Sequence, residues 1–375
     1  MGRLFEYSKY VENQDFVGRK SEVERLAADF VFLNNSIILA PQGWGKSSLV
    51  RRAASVARVK DKRLRFCHVS LSNVRDEEHF YELFAQSVLS AISSTIEEAV
   101  GNAARFFQYP APKVGFSSSS SDSLTIDFDW NDVRKYKTVL LDMPARVAQE
   151  TDLRLVVCID DFHMAATFEN SEEFIRLVQQ HWQSQKNVAY CLSAEENVMM
   201  GEFIKTSNPI SRTGDIMRLG KISPSDFSRH LREKFADSGK YLDAQVASLI
   251  IDLARNHPFH VQQLAHVAWM NTSVVCSAEV VHEAHETIVN QMSILFSTIT
   301  SSLTSQQLCY LHAVLAGETV ISKSEVLHRH RISSATSASR SKATLLQKGI
   351  ICDIDGRIVL ADPIYSYWLK NIYFN

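Results

Sequence analysis

Apolar positions along the chain fall into two regimes. Through the first part, short aliphatic runs alternate with stretches of helical period, the pattern of strands separated by helices. Ser36-Ile37-Ile38-Leu39 predicts a buried strand that breaks at Ala40-Pro41, and a helix follows from Gly45 towards Val56. Upstream, Val23, Leu26 and Phe30 share one face of a helix that begins after a Gly18-Arg19 turn. Leu64–Leu71 reads as a second strand, and Asp76 starts an amphipathic helix through Phe80, Leu83, Phe84 and Val88 to about Val100. Leu153–Ile159 is nearly continuous apolar, as in a strand buried on both faces of a parallel sheet, and it ends in Asp160-Asp161. A helix over Ser171–Gln185, a strand over Val188–Leu192 and a short strand over Asp215–Leu219 complete this regime.

One segment interrupts it. Residues 101–131 hold Pro110, Pro112 and the serines Ser117–Ser121, then the alternating Leu124–Trp130. This predicts an insertion, a serine loop closed by a short hairpin strand, with a disordered linker as the alternative. A helical pattern returns from Asp132 to Glu150. From Ile222 the pattern is helical only. Ser223-Pro224-Ser225-Asp226 is a helix start with Ser as cap and Pro at the first position. Helices over Ala244–Arg255 and His260–Met270 flank Asn256-His257-Pro258, and a long helix begins at Ser277. The last module reads as helices Ser305–Leu315, Ser322–Arg329 and Ser334–Lys348, then a hairpin over Ile350–Leu360 with an Asp-Gly turn, a winged helix-turn-helix. The expected domains are a core over 1–221, a helical lid over 222–290 and the winged helix over 291–375.

Composition narrows the partners. The chain has 375 residues, with 40 Lys and Arg against 42 Asp and Glu, so no global field draws it to nucleic acid or an anionic membrane. The six cysteines form no Cys-x-x-Cys pair, which argues for buried reduced thiols over a zinc site. No apolar run approaches a membrane span, and no apolar stretch follows the charged start. The expectation is a cytoplasmic protein with no membrane partner.

Chemistry concentrates at two places. In Ala40-Pro41-Gln42-Gly43-Trp44-Gly45-Lys46-Ser47-Ser48, a glycine-containing loop lies between a strand and a helix. Backbone N–H groups of such a loop cradle phosphate oxygens, Lys46 reaches the β- and γ-phosphates, and the Ser47 hydroxyl ligates Mg²⁺. The bland alternative is an ordinary strand–helix turn. Asp160 and Asp161 end the other strand, where open α/β sheets bind ligands. Asp160 is expected to hold Mg²⁺ and Asp161 to orient and polarise an attacking water. His163 reads equally as a substrate contact or a surface histidine. Ser193 is the candidate γ-phosphate sensor, on a strand expected between the two anchor strands. Arg212 is a candidate for a neighbouring subunit's phosphate, or a solvated arginine.

These residues resemble a family. Phe16-Val17-Gly18-Arg19 with Glu22, Gly45-Lys46-Ser47-Ser48-Leu49, Ile159-Asp160-Asp161-Phe162, Met199–Phe203, His257-Pro258 and Ala361–Leu369 are similar to the archaeal-type ATPases, in the STAND branch of the AAA+ P-loop ATPases. The resemblance implies an α/β ATPase core, a helical lid and a winged helix, with ATP and Mg²⁺ as cofactors. It implies that Gly18-Arg19 borders adenine and that His257-Pro258 contacts nucleotide from the lid. Several positions depart from the pattern: Ala40 and Asn256 stand where Gly is usual, Asp161 where Glu is usual, His163 where Gln is common, and Ala194-Glu195 where a Gly-Ser pair is common.

The function this implies is a slowly hydrolysing, nucleotide-dependent molecular switch. An ATP-dependent DNA-binding initiator or transposition-type loader and a non-hydrolysing scaffold are the alternatives. A GTPase is disfavoured, because no Asn-Lys-x-Asp motif follows Asp160. A homo-oligomer and a DNA or protein partner of the winged helix are expected partners. From Val326 to Ile351 there is no acid, and Arg340 and Lys342 lie on the second helix of the helix-turn-helix. They are the candidate DNA contacts, against a basic helix that docks on protein.

Overall fold

A computed structural model describes residues 4–7, 10–11, 15–106, 113–117, 123–127, 130–195, 213–354 and 356–375. They fall into two compact units, one of residues 19–40 and 46–219, the other of residues 1–18, 41–45 and 220–375.

The first unit is built on a parallel sheet. In chain order it contains α1 (Lys20–Phe32), β1 (Ser36–Leu39), α2 (Lys46–Lys60), β2 (Leu64–Ser70), α3 (Glu77–Ile92) and α4 (Ile96–Phe106). A hairpin of β3 (Lys113–Ser117) and β4 (Ser123–Asp127) follows, then α5 (Trp130–Thr151), β5 (Arg154–Asp160), α6 (Ser171–Ser184), β6 (Val188–Ala194) and β7 (Asp215–Arg218). The five-stranded sheet has the order β2-β5-β6-β1-β7, and every pair in it is parallel. The strand carrying Ser193 therefore does lie between the other two anchor strands. Asn35 ties three strands together before β1 begins. Its carboxamide accepts from Tyr190 N at 2.8 Å and donates to Thr213 O at 3.0 Å, while its carbonyl accepts from Asp215 N at 2.9 Å.

Side chains between Phe80 and Phe84, with Phe174, Val178, Trp182 and the buried β5 and β6, make the core of this unit. The helix begun by Asp76 stops at Ile92 instead of continuing to Val100. Thr95 Oγ1 accepts from Glu98 N at 3.2 Å and Glu98 Oε2 accepts from Ser94 N at 2.6 Å. Those two bonds cap the start of a new helix where the apolar period alone runs on. The expected insertion is described in part, as α4 and the hairpin; Ser118–Ser121 lie outside the described residues.

The second unit is mainly helical. It contains α7 (Pro224–Asp237), α8 (Ala244–Leu253), α9 (Pro258–Asn271), the long α10 (Ala278–Ser301), α11 (Ser305–Leu315), α12 (Ser324–Arg329) and α13 (Ala335–Gln347). The hairpin β10 (Ile351–Ile354) and β11 (Arg357–Leu360) and the short α14 (Pro363–Trp368) close it. The helical-only expectation is corrected by β8 (Tyr241–Leu242), which pairs in parallel with β9 (Val275–Cys276). Two residues per strand are too few to carry an alternation. Ser223 precedes α7 as expected but does not cap it, because its hydroxyl meets Ser225 Oγ at 2.6 Å. Phe296, Tyr365 and Trp368 pack α14 on α10, and the Tyr365 hydroxyl meets Thr300 Oγ1 at 2.8 Å inside that core.

Candidate functional site

In the sheet unit, three elements bring their polar ends together at the C-terminal edge of β1, β5 and β6. Lys46, the first residue of α2, donates from Nζ to Ala40 O at 3.0 Å, and it is only 6% exposed. Burial lowers its pKa, opposed by the charges of Glu195, Asp161 and Asp160. The next residue, Ser47, donates to one carboxylate oxygen of Asp160, and Ser193 donates to the other. A hydroxyl from α2 and one from β6 thus hold a single carboxylate at the end of β5.

Asp161 follows in a left-handed backbone conformation (φ 54°), which turns the chain out of the strand. It accepts from Ser72 Oγ at 2.5 Å, beyond the end of β2. His163 Nδ1 accepts from Glu195 N at 3.4 Å. Burial lowers the pKa of His163, opposed first by Glu195 and Asp161. His163 therefore belongs to this cluster and is not a detached surface histidine. Reading the sequence missed two members of it. Glu195 registered only as a departure from a family pattern, although its place just past β6 marks it. Ser72 carries no signal of its own.

Ser47 and Asp160 offer hard oxygen donors from two elements. Mg²⁺ commonly takes one or two protein oxygens and fills its octahedron with phosphate and water. The described residues hold no cluster of three or more His, Cys, Asp or Glu side chains suited to a metal ion. A hydroxyl beside a carboxylate therefore fits Mg²⁺ and does not fit a caged transition metal.

In the other unit, the loop residues Pro41–Gly45 lie against the start of α9. His257 precedes that helix, with Pro258 as its first residue. His257 Nε2 donates to Gln42 O at 3.2 Å, and its ring meets Trp44 edge-on with centroids 6.5 Å apart. Burial, with His260 close by, pushes the His257 pKa down to about 4, so the ring is neutral near pH 7. Gly43 has φ 73°, and a Cβ there would stand 2.7 Å from His257 Cε1. Both the conformation and the contact demand glycine. Gly45 is likewise left-handed, at φ 84°. Gly18 is also left-handed (φ 64°), facing Ile222 and Asp226.

The remaining predicted residues are placed as follows. Arg19 is left-handed (φ 57°), caps α1 without a side-chain bond, and is buried, which lowers its pKa against the pull of Glu22. Ser48 is half-buried in the first turn of α2. Arg340 is exposed and Lys342 half-buried on α13. At about 100° per residue they point about 200° apart and do not share a face. Arg212 and Met199–Phe203 lie outside the described residues.

Comparison with known proteins sets this geometry in a family. The model of the novel STAND NTPase 1 family matches residues 5–289, and that of a probable winged helix domain matches residues 294–371. No curated protein matches the chain. Among solved structures, the fold is similar to a Walker-type ATPase of Pyrococcus abyssi, with a TM-score of 0.69 at 13% identity over 98% of this chain and 99% of that one. It is also similar to the ORC2 protein of Aeropyrum pernix in its ADPNP–ADP complexes, with a TM-score of 0.60 at 14% identity over 99% and 97%. The ORC1 protein of the same organism, in complex with DNA, follows with a TM-score of 0.53 at 13% identity over 96% and 94%. With a family model covering most of its length and a winged helix behind it, the chain belongs to the novel STAND NTPase 1 family of P-loop NTPases.

Proposed function

We propose that the protein binds ATP with Mg²⁺, hydrolyses it slowly and acts as a nucleotide-dependent switch. One observation carries the reading: the carboxylate of Asp160 is held by the Ser47 and Ser193 hydroxyls beside the buried ammonium of Lys46. The buried ammonium at the start of α2 is the cation that a triphosphate in this loop would meet. Mg²⁺, held by Ser47 and Asp160, would neutralise charge on the β- and γ-phosphates. Lys46 then fixes those phosphates, Ser193 keeps Asp160 oriented, and Asp161 polarises water. The backbone and side chains of Pro41, Gln42, Gly43, Trp44, Gly45 and Ser48 complete the phosphate loop. Gly18-Arg19 and His257-Pro258 carry the adenine and lid roles that the resemblance implies.

Slow turnover follows from Asp161. Its side chain is one methylene shorter than glutamate, and Ser72 already occupies one of its oxygens. Calorimetry with ATP and Mg²⁺, followed by single-turnover phosphate release, tests both halves. The expected result is one nucleotide per chain and release much slower than binding. Absence of heat with ATP would sink the assignment.

An ATP-dependent DNA-binding function is the second reading, favoured by the exposed Arg340 on an acid-free α13. The ORC1 neighbour was solved with DNA. Salt-dependent DNA binding in the presence of ATP separates it from a winged helix that docks on protein.

A further inference from the structure

A cavity lies entirely within the helical unit. It encloses about 380 Å³, within the usual range of small-molecule sites. Its apolar wall comes from the wing, through Ile354, Val359 and Leu360, with Pro363 from α14. Trp44 of the phosphate loop and His257 line it from another direction. Three cations stand around it, Lys221, Arg255 and Arg357, and no carboxylate lines it.

The charges are available to a ligand. Lys221 Nζ donates only to a neutral group, the carbonyl of Arg255, at 3.1 Å. None of the three cations makes an ion pair among the described residues. Some other basic groups of the unit do have carboxylate partners, as Arg329 has Glu318 at 2.6 Å and Lys234 has Asp15. Arg255 also holds a left-handed backbone (φ 48°), an uncommon state for a bulky residue, at the turn that leads to His257.

We infer that this cavity binds an organic anion, a small molecule with a flat or aliphatic body and one phosphate or carboxylate head. The body fits against Trp44 and the apolar wing strands, and the head against Arg255, Arg357 and Lys221. An occupant touches both the phosphate loop and the wing, so its affinity is linked to the state of that loop. The site itself does not depend on the loop holding ATP. Only the linkage rests on the function proposed above.

The test uses 1-anilinonaphthalene-8-sulfonate, a flat aromatic anion whose emission rises in apolar sites, with uncharged N-phenyl-1-naphthylamine as its control. The full chain should bind one sulfonate. Arg255→Gln with Arg357→Gln should weaken it about tenfold, the sum of two partly exposed charge contacts. Arg357→Glu, on the exposed wing, should weaken it at least as much while leaving the melting curve unchanged. The uncharged analogue should be insensitive to both changes. Saturating ATP should shift the sulfonate affinity without displacing the probe. Sulfonate binding that ignores both variants overturns the site, and so does complete displacement by ATP in simple competition. A chain that binds the probe with this charge dependence but gives no heat with ATP would keep the site and remove the ATP reading.

Discussion

His260 Nε2 and Asp362 Oδ1 meet at 3.3 Å, joining α9 to the residue that caps α14. Asp362 also accepts from the backbone N–H groups of Ile364 at 2.7 Å and Tyr365 at 3.1 Å. Burial alone would raise the Asp362 pKa, yet His260 and these two donors bring it below its ordinary value. Asp362→Ala removes the cap and the imidazole contact together. It should cost about 1–3 kcal/mol, a cap plus part of a charge-assisted hydrogen bond. Urea unfolding followed by Trp368 emission checks it, and a loss under a few tenths of a kcal/mol would make the pair ornamental.

Asp161→Asn keeps the side chain's shape and its contact with Ser72 but removes the charge that polarises water. ATP should still bind, and turnover should fall by roughly ten- to a thousandfold. Lys46→Ala should instead abolish binding, since the buried phosphates lose their mobile cation. Nucleotide calorimetry beside single-turnover phosphate release separates the two. An Asp161→Asn protein as fast as the parent would make Asp161 a bystander.

Glu195 sets up an opposite effect. Its charge is the first of those that hold the proton on Lys46. In an occupied site the same charge repels the triphosphate. Glu195→Gln should therefore tighten ATP binding several-fold, worth about 1 kcal/mol at a partly exposed position. Titration of both proteins at one salt concentration gives the sign directly.

Acid should loosen the helical unit through His257. Its folded pKa is pushed down to about 4, and its unfolded pKa is about 6.5. Between those values the unfolded chain carries a proton that the folded chain refuses, so stability is complete above about 6.5 and lost as pH falls towards 4. The loss amounts to about 3 kcal/mol over that window. His257→Gln keeps a donor for Gln42 O and should flatten this part of the pH–stability curve. A parent curve that is already flat there would show that the ring protonates in place.

For the winged helix, the half-turn offset between Arg340 and Lys342 changes what neutralisation should do. Only one of them can face a groove with the exposed side of α13. If DNA binds, Arg340→Ala should reduce the log–log salt slope by about one, and Lys342→Ala by clearly less. Equal effects would mean that another face of the helix carries the contact.

Much of the core could be read from residue order. A continuous apolar run predicts a strand covered on both faces, so β5 and β6 were evident, with Asp160 at the end of one and Ser193 next to the end of the other. The break between α3 and α4 was not, because the apolar period is shared by both helices and the capping bonds among Ser94, Thr95 and Glu98 divide them. β8 and β9 escape for lack of length. The site was harder to read because its members meet through side chains. Nothing local tells that Ser72 reaches Asp161 across 89 residues of chain. The face of a helix, by contrast, follows from spacing, and the separation of Arg340 from Lys342 was there to be counted.

The tight approach of His257 to Gly43 reaches beyond these experiments. Two positions 214 residues apart in the chain share one volume, so position 43 cannot gain a side chain while the ring stays in place. Among relatives that dock the two segments in this way, a side chain at position 43 should occur only with a small residue at position 257. The pair would then drift as a unit, and an ancestral swap should pass through glycine at both sites before either is refilled.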